Sequence, residues 1–181
     1  MRTFNTFLFI LTAFLLQSCE FSCTVGNKED DRRKETTKKI SRIYNEIKLQ
    51  ENGVKVEKAY LVFDDGENIP EGNVLDFTEP VKVKMVMVIE KGWKVIDGKS
   101  SIDASEKIEA ETGEVLLNEE SLFGNRFPEG MPAKDARTVA LTASVNLKNP
   151  VQPLTAFVVS FRVWDKNSEA FVTGSYKLYA K

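Results

Sequence analysis

The chain has 181 residues, with 25 basic and 27 acidic side chains, no histidine and a net charge of −2 at pH 7. This length fits one domain or at most two small ones, and an apolar fraction of 42% suffices for a packed core. The absence of histidine excludes Ser-His-Asp and Cys-His catalysis and removes the commonest transition-metal ligand, so we expect no metal or other cofactor. The nearly balanced charge gives no electrostatic reason to expect nucleic acid as a partner.

The first residues have the composition of a targeting segment. Arg2 precedes an apolar run from Phe7 to Leu16 that is about ten residues long, well short of the roughly twenty that cross a bilayer as a helix. The sequence Leu16-Gln17-Ser18-Cys19 follows and resembles the lipobox of bacterial lipoproteins. This resemblance implies that residues 1–18 are a signal peptide and that Cys19 becomes the lipidated N-terminus. Two or three acyl chains anchor a protein stably, whereas one binds membranes reversibly.

The two cysteines allow two other interpretations. An ordinary secretory signal would leave Cys19 incidental, although a cysteine directly after an apolar run and a small residue favours lipidation. Lipidation at Cys23 would place Glu20 three residues before it, where the lipobox has an apolar side chain. Lipidation of Cys19 leaves Cys23 without a partner in the mature chain, so Cys23 either pairs between molecules or stays free. Without histidine to activate it, we expect no catalytic role for Cys23.

Residues 19–45 are interpreted as the lipidated cysteine and a polar tether. The segment from Asn27 to Lys39 is almost wholly charged or polar and cannot bury enough surface to order itself. An alternative function for its basic half is contact with anionic lipid head groups. Ile40, Ile43, Tyr44 and Ile47 have helical spacing and predict a short helix before the domain.

The remaining residues, 46–181, carry strand patterns with short helical turns between them. Asn52-Gly53, Glu111-Thr112-Gly113 and Asp165 to Ser168 predict hairpins, and Asn118 and Ala133 to Ala136 predict helical turns. A further short strand is predicted over Trp93 to Ile96. The main predicted strands are Ile47–Gln50, Val54–Phe63, Val81–Ile89, Ser101–Ala110, Glu114–Leu117, Thr138–Leu147, Thr155–Trp164 and Ala170–Tyr179. About eight strands without intervening long helices predict an all-β fold, an immunoglobulin-like antiparallel β-sandwich.

The two tryptophans are the residues considered as sugar-stacking platforms. Trp164 ends a run that is apolar on both strand faces, so we expect it in the core. Trp93 follows Lys91-Gly92 at the start of a short segment, so we expect it to be at least partly exposed. Trp93 is therefore the predicted ligand contact.

Two further stretches resemble binding motifs but lack their required spacing. The stretch from Gly92 to Ser100 resembles a phosphate-binding P-loop but has five residues between its glycines instead of four, and a strand pattern follows it instead of a helix. Asp64-Asp65-Gly66-Glu67-Asn68 offers oxygen ligands for Ca²⁺ but lacks the ligand spacing and distal glutamate of an EF-hand, and acidic turns with glycine are common.

The lipobox, the acidic Glu20 and the polar tether together resemble lipoproteins of the Bacteroidota, especially those of flavobacteria. The domain is similar to small β-rich lipoproteins of unknown function from that group, a resemblance that brings no functional residues. It implies an envelope protein, and a residue other than Asp after Cys19 favours the outer membrane. We expect a monomeric, non-enzymatic module that binds an envelope protein or glycan. The alternatives are a structural lipoprotein without a discrete ligand and a hydrolase based on two carboxylates.

Overall fold

The structure, a computed structural model, describes residues 42–147 and 151–181. The predicted signal peptide, Cys19, Cys23 and the tether up to residue 41 lie outside the described residues. Short 3₁₀ turns occur at Glu71–Asn73 and Asp135–Arg137. The strands of the described part are β1 Arg42–Ile43, β2 Lys48–Asn52, β3 Lys55–Phe63, β4 Val74–Leu75, β5 Val81–Lys91, β6 Lys99–Ser100, β7 Ile102–Ala110, β8 Val115–Glu119, β9 Met131–Pro132, β10 Thr138–Val145, β11 Ala156–Asp165 and β12 Phe171–Ala180.

The strands form two main sheets with the connectivity of an immunoglobulin-like sandwich. The first sheet has the order β1-β3-β5-β10, and the second has the order β2-β12-β11-β7-β8, with β4 also paired to β12. The pairs β3–β5, β5–β10, β7–β8, β7–β11 and β11–β12 are all antiparallel. Among the strands of these antiparallel pairs, the chain changes sheet between β5 and β7, between β8 and β10, and between β10 and β11. In immunoglobulin nomenclature β3-β5-β10 corresponds to A-B-E and β12-β11-β7-β8 to G-F-C-C′. The predicted all-β, immunoglobulin-like antiparallel β-sandwich is confirmed.

The core lies between the inner faces of the two sheets. Every second residue of β10 is buried, as the alternation in the sequence predicts, and β5 buries Val83, Met85, Met87 and Ile89 on the same face. The opposing sheet contributes the β11 residues Phe157, Val159, Phe161 and Val163. Each fully buried side chain of this size contributes about 1.5–3 kcal/mol.

The predicted hairpin at Asn52-Gly53 is wrong. β2 pairs with β12, where Asn52 lies opposite Phe171, whereas β3 pairs with β5 in the other sheet. Gly53 has a φ of 67°, a conformation that glycine adopts easily, and it turns the chain from one sheet to the other. An Asn-Gly pair supplies the sharp turn in either case, so the local signal does not distinguish a hairpin from a corner.

Three smaller predictions are also wrong. Instead of the helix expected from Ile40 to Ile47, Arg42 and Ile43 form β1 and pair with β3, and the positive φ angles of Asn45 and Glu46 exclude a helix there. Asn118 does not begin a helical turn, because it lies within β8. Trp93 to Ile96 is a loop, and a β-bridge pairs Ile96 with Lys99. The predicted hairpins that join β7 to β8 and β11 to β12 are confirmed.

Candidate ligand-binding site

A pocket of about 410 Å³ opens where β5 ends and β10 begins. Because Thr138 pairs with Val88, the end of β5 and the start of β10 lie side by side at the same end of the first sheet. The loop after β5 and the 3₁₀ turn before β10 complete the walls. The lining residues are Ile89, Glu90, Lys91, Gly92, Trp93, Val95, Ser100, Ala133, Lys134 and Arg137.

Trp93, the predicted ligand contact, lines this pocket. The side chain is half-buried, which confirms partial exposure, but its ring also packs against the hydrophobic core. Its indole Nε1 donates a hydrogen bond of 3.0 Å to the carbonyl oxygen of Ala136. The polar atom of the indole is therefore satisfied inside the protein, and the ring offers its carbon surface to the pocket.

The chain on both sides of Trp93 is held in place. Gly92 has a φ of 130°, and a Cβ atom there would lie 2.5 Å from the carbonyl oxygen of Gly53 and 2.5 Å from Cα of Val54. Lys94 donates its backbone N–H to Oδ2 of Asp165 at 2.6 Å. Asp165 is only 3% exposed and lies at the end of β11. The loop that carries Trp93 is thus attached to the β2–β3 corner on one side and to the β11–β12 hairpin on the other.

Three basic residues surround the pocket, and no sequence motif marks them as functional. Lys91 ends β5, and Lys134 and Arg137 flank the 3₁₀ turn before β10. All three are exposed, and none forms an ion pair with another described residue. Lys91 adjoins Gly92-Trp93 in the sequence, but Lys134 and Arg137 follow some 40 residues later and reach the pocket only through the pairing of β5 with β10.

Trp164 is not a core residue, and that prediction is wrong. Its neighbours Phe161 and Val163 are buried between the sheets, but Trp164 lies half-buried on the outer face of the second sheet. There it is opposite Phe171, and the guanidinium carbon of Arg162 lies 5.7 Å from its ring centroid. Trp164 shares its face of β11 with Ser160 and Arg162, whereas the opposite face from Phe157 to Val163 is wholly apolar. The alternation in the sequence therefore already indicates that Trp164 lies on the outer face, and the prediction overlooked it.

The carboxylate of Asp64, in the acidic turn considered for Ca²⁺, forms ion pairs with lysines of the neighbouring strand β5. Asp64 lies 3.2 Å from Nζ of Lys84 and 4.0 Å from Nζ of Lys82, and Asp65 accepts the backbone N–H of Glu67 at 3.0 Å. In the described part of the chain, no group of three acidic or cysteine side chains is arranged to hold a metal ion.

The carboxyl group of Glu106 is buried between the two sheets, without a cation beside it in the described part of the chain. Glu106 on β7 is 2% exposed, and burial raises its pKa to about 7. Neither its Oε1 atom nor the hydroxyl of Tyr176, also buried, has a hydrogen-bond partner among the residues described. Burial, and then the charge of Glu106, raise the pKa of Tyr176 well above its usual value. Glu106 and Tyr176 lie inside the sandwich and do not line the pocket at Trp93. Among the described residues, that pocket is lined by a single carboxylate, Glu90, whereas a hydrolase based on two carboxylates needs a pair.

Comparisons with known proteins give fold-level similarities only. No protein-family model and no curated protein matches the chain. Among solved structures, the C-terminal domain of Wzt is 14% identical with a TM-score of 0.46, covering 78% of this chain and 82% of that domain. A Niemann-Pick type C2 protein from the Japanese carpenter ant is 7% identical with a TM-score of 0.40, covering 73% and 96%. The fold assignment rests on strand order and register, not on these similarities. Residues 42–147 and 151–181 contain no helix that is long and apolar enough to span a bilayer.

Proposed function

We propose that this protein is a lipoprotein of the bacterial cell envelope, anchored in the outer membrane through Cys19, whose sandwich is a non-enzymatic binding module. The pocket at Trp93 is its ligand site. The lipobox motif at residues 16–19 supports the anchor, and the fixed position of Trp93 in a concave site supports the binding module.

The observation that carries the proposal is the arrangement of Trp93 itself. Loops that bind ligands are commonly positioned by a rigid scaffold, and this loop is attached to it at Gly92, at the Ala136 carbonyl and at Asp165. A half-buried aromatic ring with a satisfied N–H suits the apolar face of a small unit such as a sugar ring. A pocket of about 410 Å³ also falls within the usual range for small ligands of roughly 300–1,000 Å³. A glycan unit therefore fits this site better than a flat protein surface does.

The anchor is tested by replacing Cys19 with alanine in cells supplied with labelled fatty acid. We expect the parent protein to incorporate label and to sediment with membranes, and Cys19→Ala to do neither. A Cys23→Ala variant is the matched control and should behave like the parent. Labelling and sedimentation of Cys19→Ala would refute the lipoprotein assignment.

The binding site is tested with glycans released from the envelope of the bacterium that makes this protein. The glycans are added to the full chain in mild detergent. We expect saturable binding that is weakened at least about tenfold in Trp93→Leu, since a leucine fills part of the apolar volume without a flat ring. Trp164→Leu is the control for loss of an aromatic side chain elsewhere. Melting curves show whether each variant is folded. Equal binding by folded Trp93→Leu would place the ligand elsewhere, and no saturable binding by the parent would refute the binding module.

A further inference from the structure

The lining of the Trp93 pocket carries an excess of positive charge, with three basic residues and one acidic residue. Several lysines elsewhere lie close to a carboxylate: Lys84 to Asp64 at 3.2 Å, Lys99 to Glu129 at 3.0 Å and Lys107 to Glu109 at 2.7 Å. The three basic residues of the pocket have no ion pair in the described part of the chain. Exposed lysines such as Lys48 and Lys177 are also unpaired there, and what distinguishes the pocket is that its three bases line one concave site.

This local excess of positive charge occurs in a protein whose acidic side chains outnumber its basic ones, 27 to 25. Lys91 approaches from β5, and Lys134 and Arg137 approach from the segment before β10. Among the described residues that line the pocket, Glu90 is the only acid. Cations gathered around a concave, partly apolar site attract anions and raise their local concentration.

The residues that line the pocket indicate which kind of anion it suits. The guanidinium group of Arg137 suits a planar carboxylate or a phosphate, since it can donate two parallel hydrogen bonds to either group, and the lysines add point charges. Trp93 and the exposed Val95 add an apolar wall, which a free inorganic anion would leave unused. A ligand that fits both the basic and the apolar wall has a carbon-rich ring face and an attached negative group.

From these contacts we propose that the Trp93 pocket binds an acidic sugar unit, one that carries a carboxylate or phosphate group. This inference rests on the proposed binding function and specifies its ligand. The sugar ring stacks on the indole of Trp93, and its acidic group lies among Lys91, Lys134 and Arg137.

The chain offers a direct optical test, because it contains two tryptophans, Trp93 and Trp164. Trp164→Phe leaves Trp93 as the only indole in the full chain, so its fluorescence reports the pocket alone. The probes are trigalacturonate and mannose phosphate, each compared with its uncharged counterpart, methyl-esterified trigalacturonate or mannose. We expect a saturable change in Trp93 emission with an acidic probe, binding that weakens with added salt, and at least about tenfold weaker binding of the uncharged counterpart.

The contribution of the charges is tested by Lys134→Gln/Arg137→Gln in the same background. We expect about tenfold weaker binding of the acidic probe and little change for the uncharged one. The matched control is Lys48→Gln/Lys177→Gln, which removes the same charge from exposed positions on β2 and β12. Equal weakening by the control would show that net charge alone is responsible and would overturn the inference.

Other outcomes identify which proposal fails. If the uncharged counterparts bind as tightly as the acidic sugars, the preference for acid is wrong but the glycan-binding function stands. If inorganic phosphate or phosphatidylglycerol vesicles change Trp93 emission as strongly as the acidic sugars, the ligand is a free anion or a lipid head group, and the sugar assignment is wrong. If neither acidic sugar gives a saturable response, the inference is overturned, and binding of released envelope glycans alone decides the proposed function.

Discussion

The indole Nε1 of Trp93 donates its hydrogen bond to the backbone carbonyl of Ala136, across 43 residues of sequence, at 3.0 Å. Ala136 is itself fully buried in the 3₁₀ turn that precedes β10. The bond therefore joins the loop after β5 to the segment before β10, which together form the walls of the pocket. Trp93 has a structural role as well as the proposed role in binding.

This contact reverses the stability order that the sequence predicts for the two tryptophans. Trp93→Ala removes core packing and leaves the Ala136 carbonyl without its donor, so we expect it to lower the free energy of unfolding by about 2 kcal/mol, roughly half the cost of truncating a fully buried tryptophan. Trp164→Ala removes a half-buried ring from the outer face, where we expect a cost of about 1 kcal/mol. Urea denaturation followed by circular dichroism measures both. Greater damage from Trp164→Ala would contradict the assignment of the two faces.

Gly92 is a second sensitive position beside the pocket. A Cβ atom there meets backbone atoms of Gly53 and Val54, which cannot rotate away as a flexible side chain can. We expect Gly92→Ala to destabilise the domain by about 3 kcal/mol, combining steric overlap with the cost of a positive φ. Thermal denaturation measures the change.

Gly98→Ala is the matched control for Gly92→Ala. Gly98 lies in the same loop with a φ of 76°, but no atom lies within 4 Å of an added Cβ. It should therefore show only the backbone cost of about 1 kcal/mol. Equal effects of the two substitutions would show that the contact with the β2–β3 corner is not needed to hold the loop.

The fold could be predicted from the sequence because strand alternation is local. Val139, Leu141, Ala143 and Val145 reveal the inner face of β10 by themselves, and the class follows from several such strands without helices. The pairing of strands is not encoded locally. Asn52-Gly53 specifies a turn, but it does not specify which strand pairs with β2. The pocket needs the β5–β10 register to bring Arg137 to Trp93, and no sequence pattern encodes that distance.

Asp103 is expected to hold the connection between β8 and β9 on the outer face. It is 5% exposed, and its carboxylate accepts the Ser121 hydroxyl at 2.8 Å and the backbone N–H groups of Phe123 at 3.0 Å and Gly124 at 3.2 Å. Burial alone would raise the pKa of Asp103, but the hydrogen bonds from the Phe123 backbone, the Ser121 hydroxyl and the Ala104 backbone lower it below 3.8, with a smaller effect of the Lys166 ammonium. The ionised form is therefore favoured by folding, and its contribution is complete above pH 3.8 and is lost as the pH falls through the lower folded-state pKa.

We expect Asp103→Asn to lower the free energy of unfolding by about 1–3 kcal/mol at pH 7, since the amide cannot replace all of these bonds. Hydrogen exchange at the amides of Phe123 and Gly124 should accelerate together. Asp76→Asn is the control, because Asp76 also accepts a backbone N–H, that of Thr78 at 3.0 Å, but is exposed. Unchanged exchange in Asp103→Asn would show that the segment is held by its own packing.

Glu106 makes the stability of the domain dependent on pH between about 4.5 and 7. Its pKa is about 7 in the folded protein, against a usual value of 4.5, because burial disfavours the carboxylate. Folding therefore favours the protonated form. The free energy of unfolding is unaffected below about pH 4.5, falls as the pH rises towards 7, and is lower by about 3 kcal/mol above that range.

Few other groups obscure this effect, because the chain has no histidine, the side chain that ordinarily titrates in this range. We expect urea denaturation of the parent to show a fall of about 3 kcal/mol between pH 4.5 and 8, and Glu106→Gln to show a nearly flat profile. Glu114→Gln, which removes an exposed carboxyl from the β7–β8 turn, should keep the parent profile. The comparison uses the slope with pH, so it remains valid even if glutamine packs less well and lowers stability at every pH. A profile for Glu106→Gln as steep as that of the parent would show that another group titrates, and that Glu106 is already ionised at pH 5.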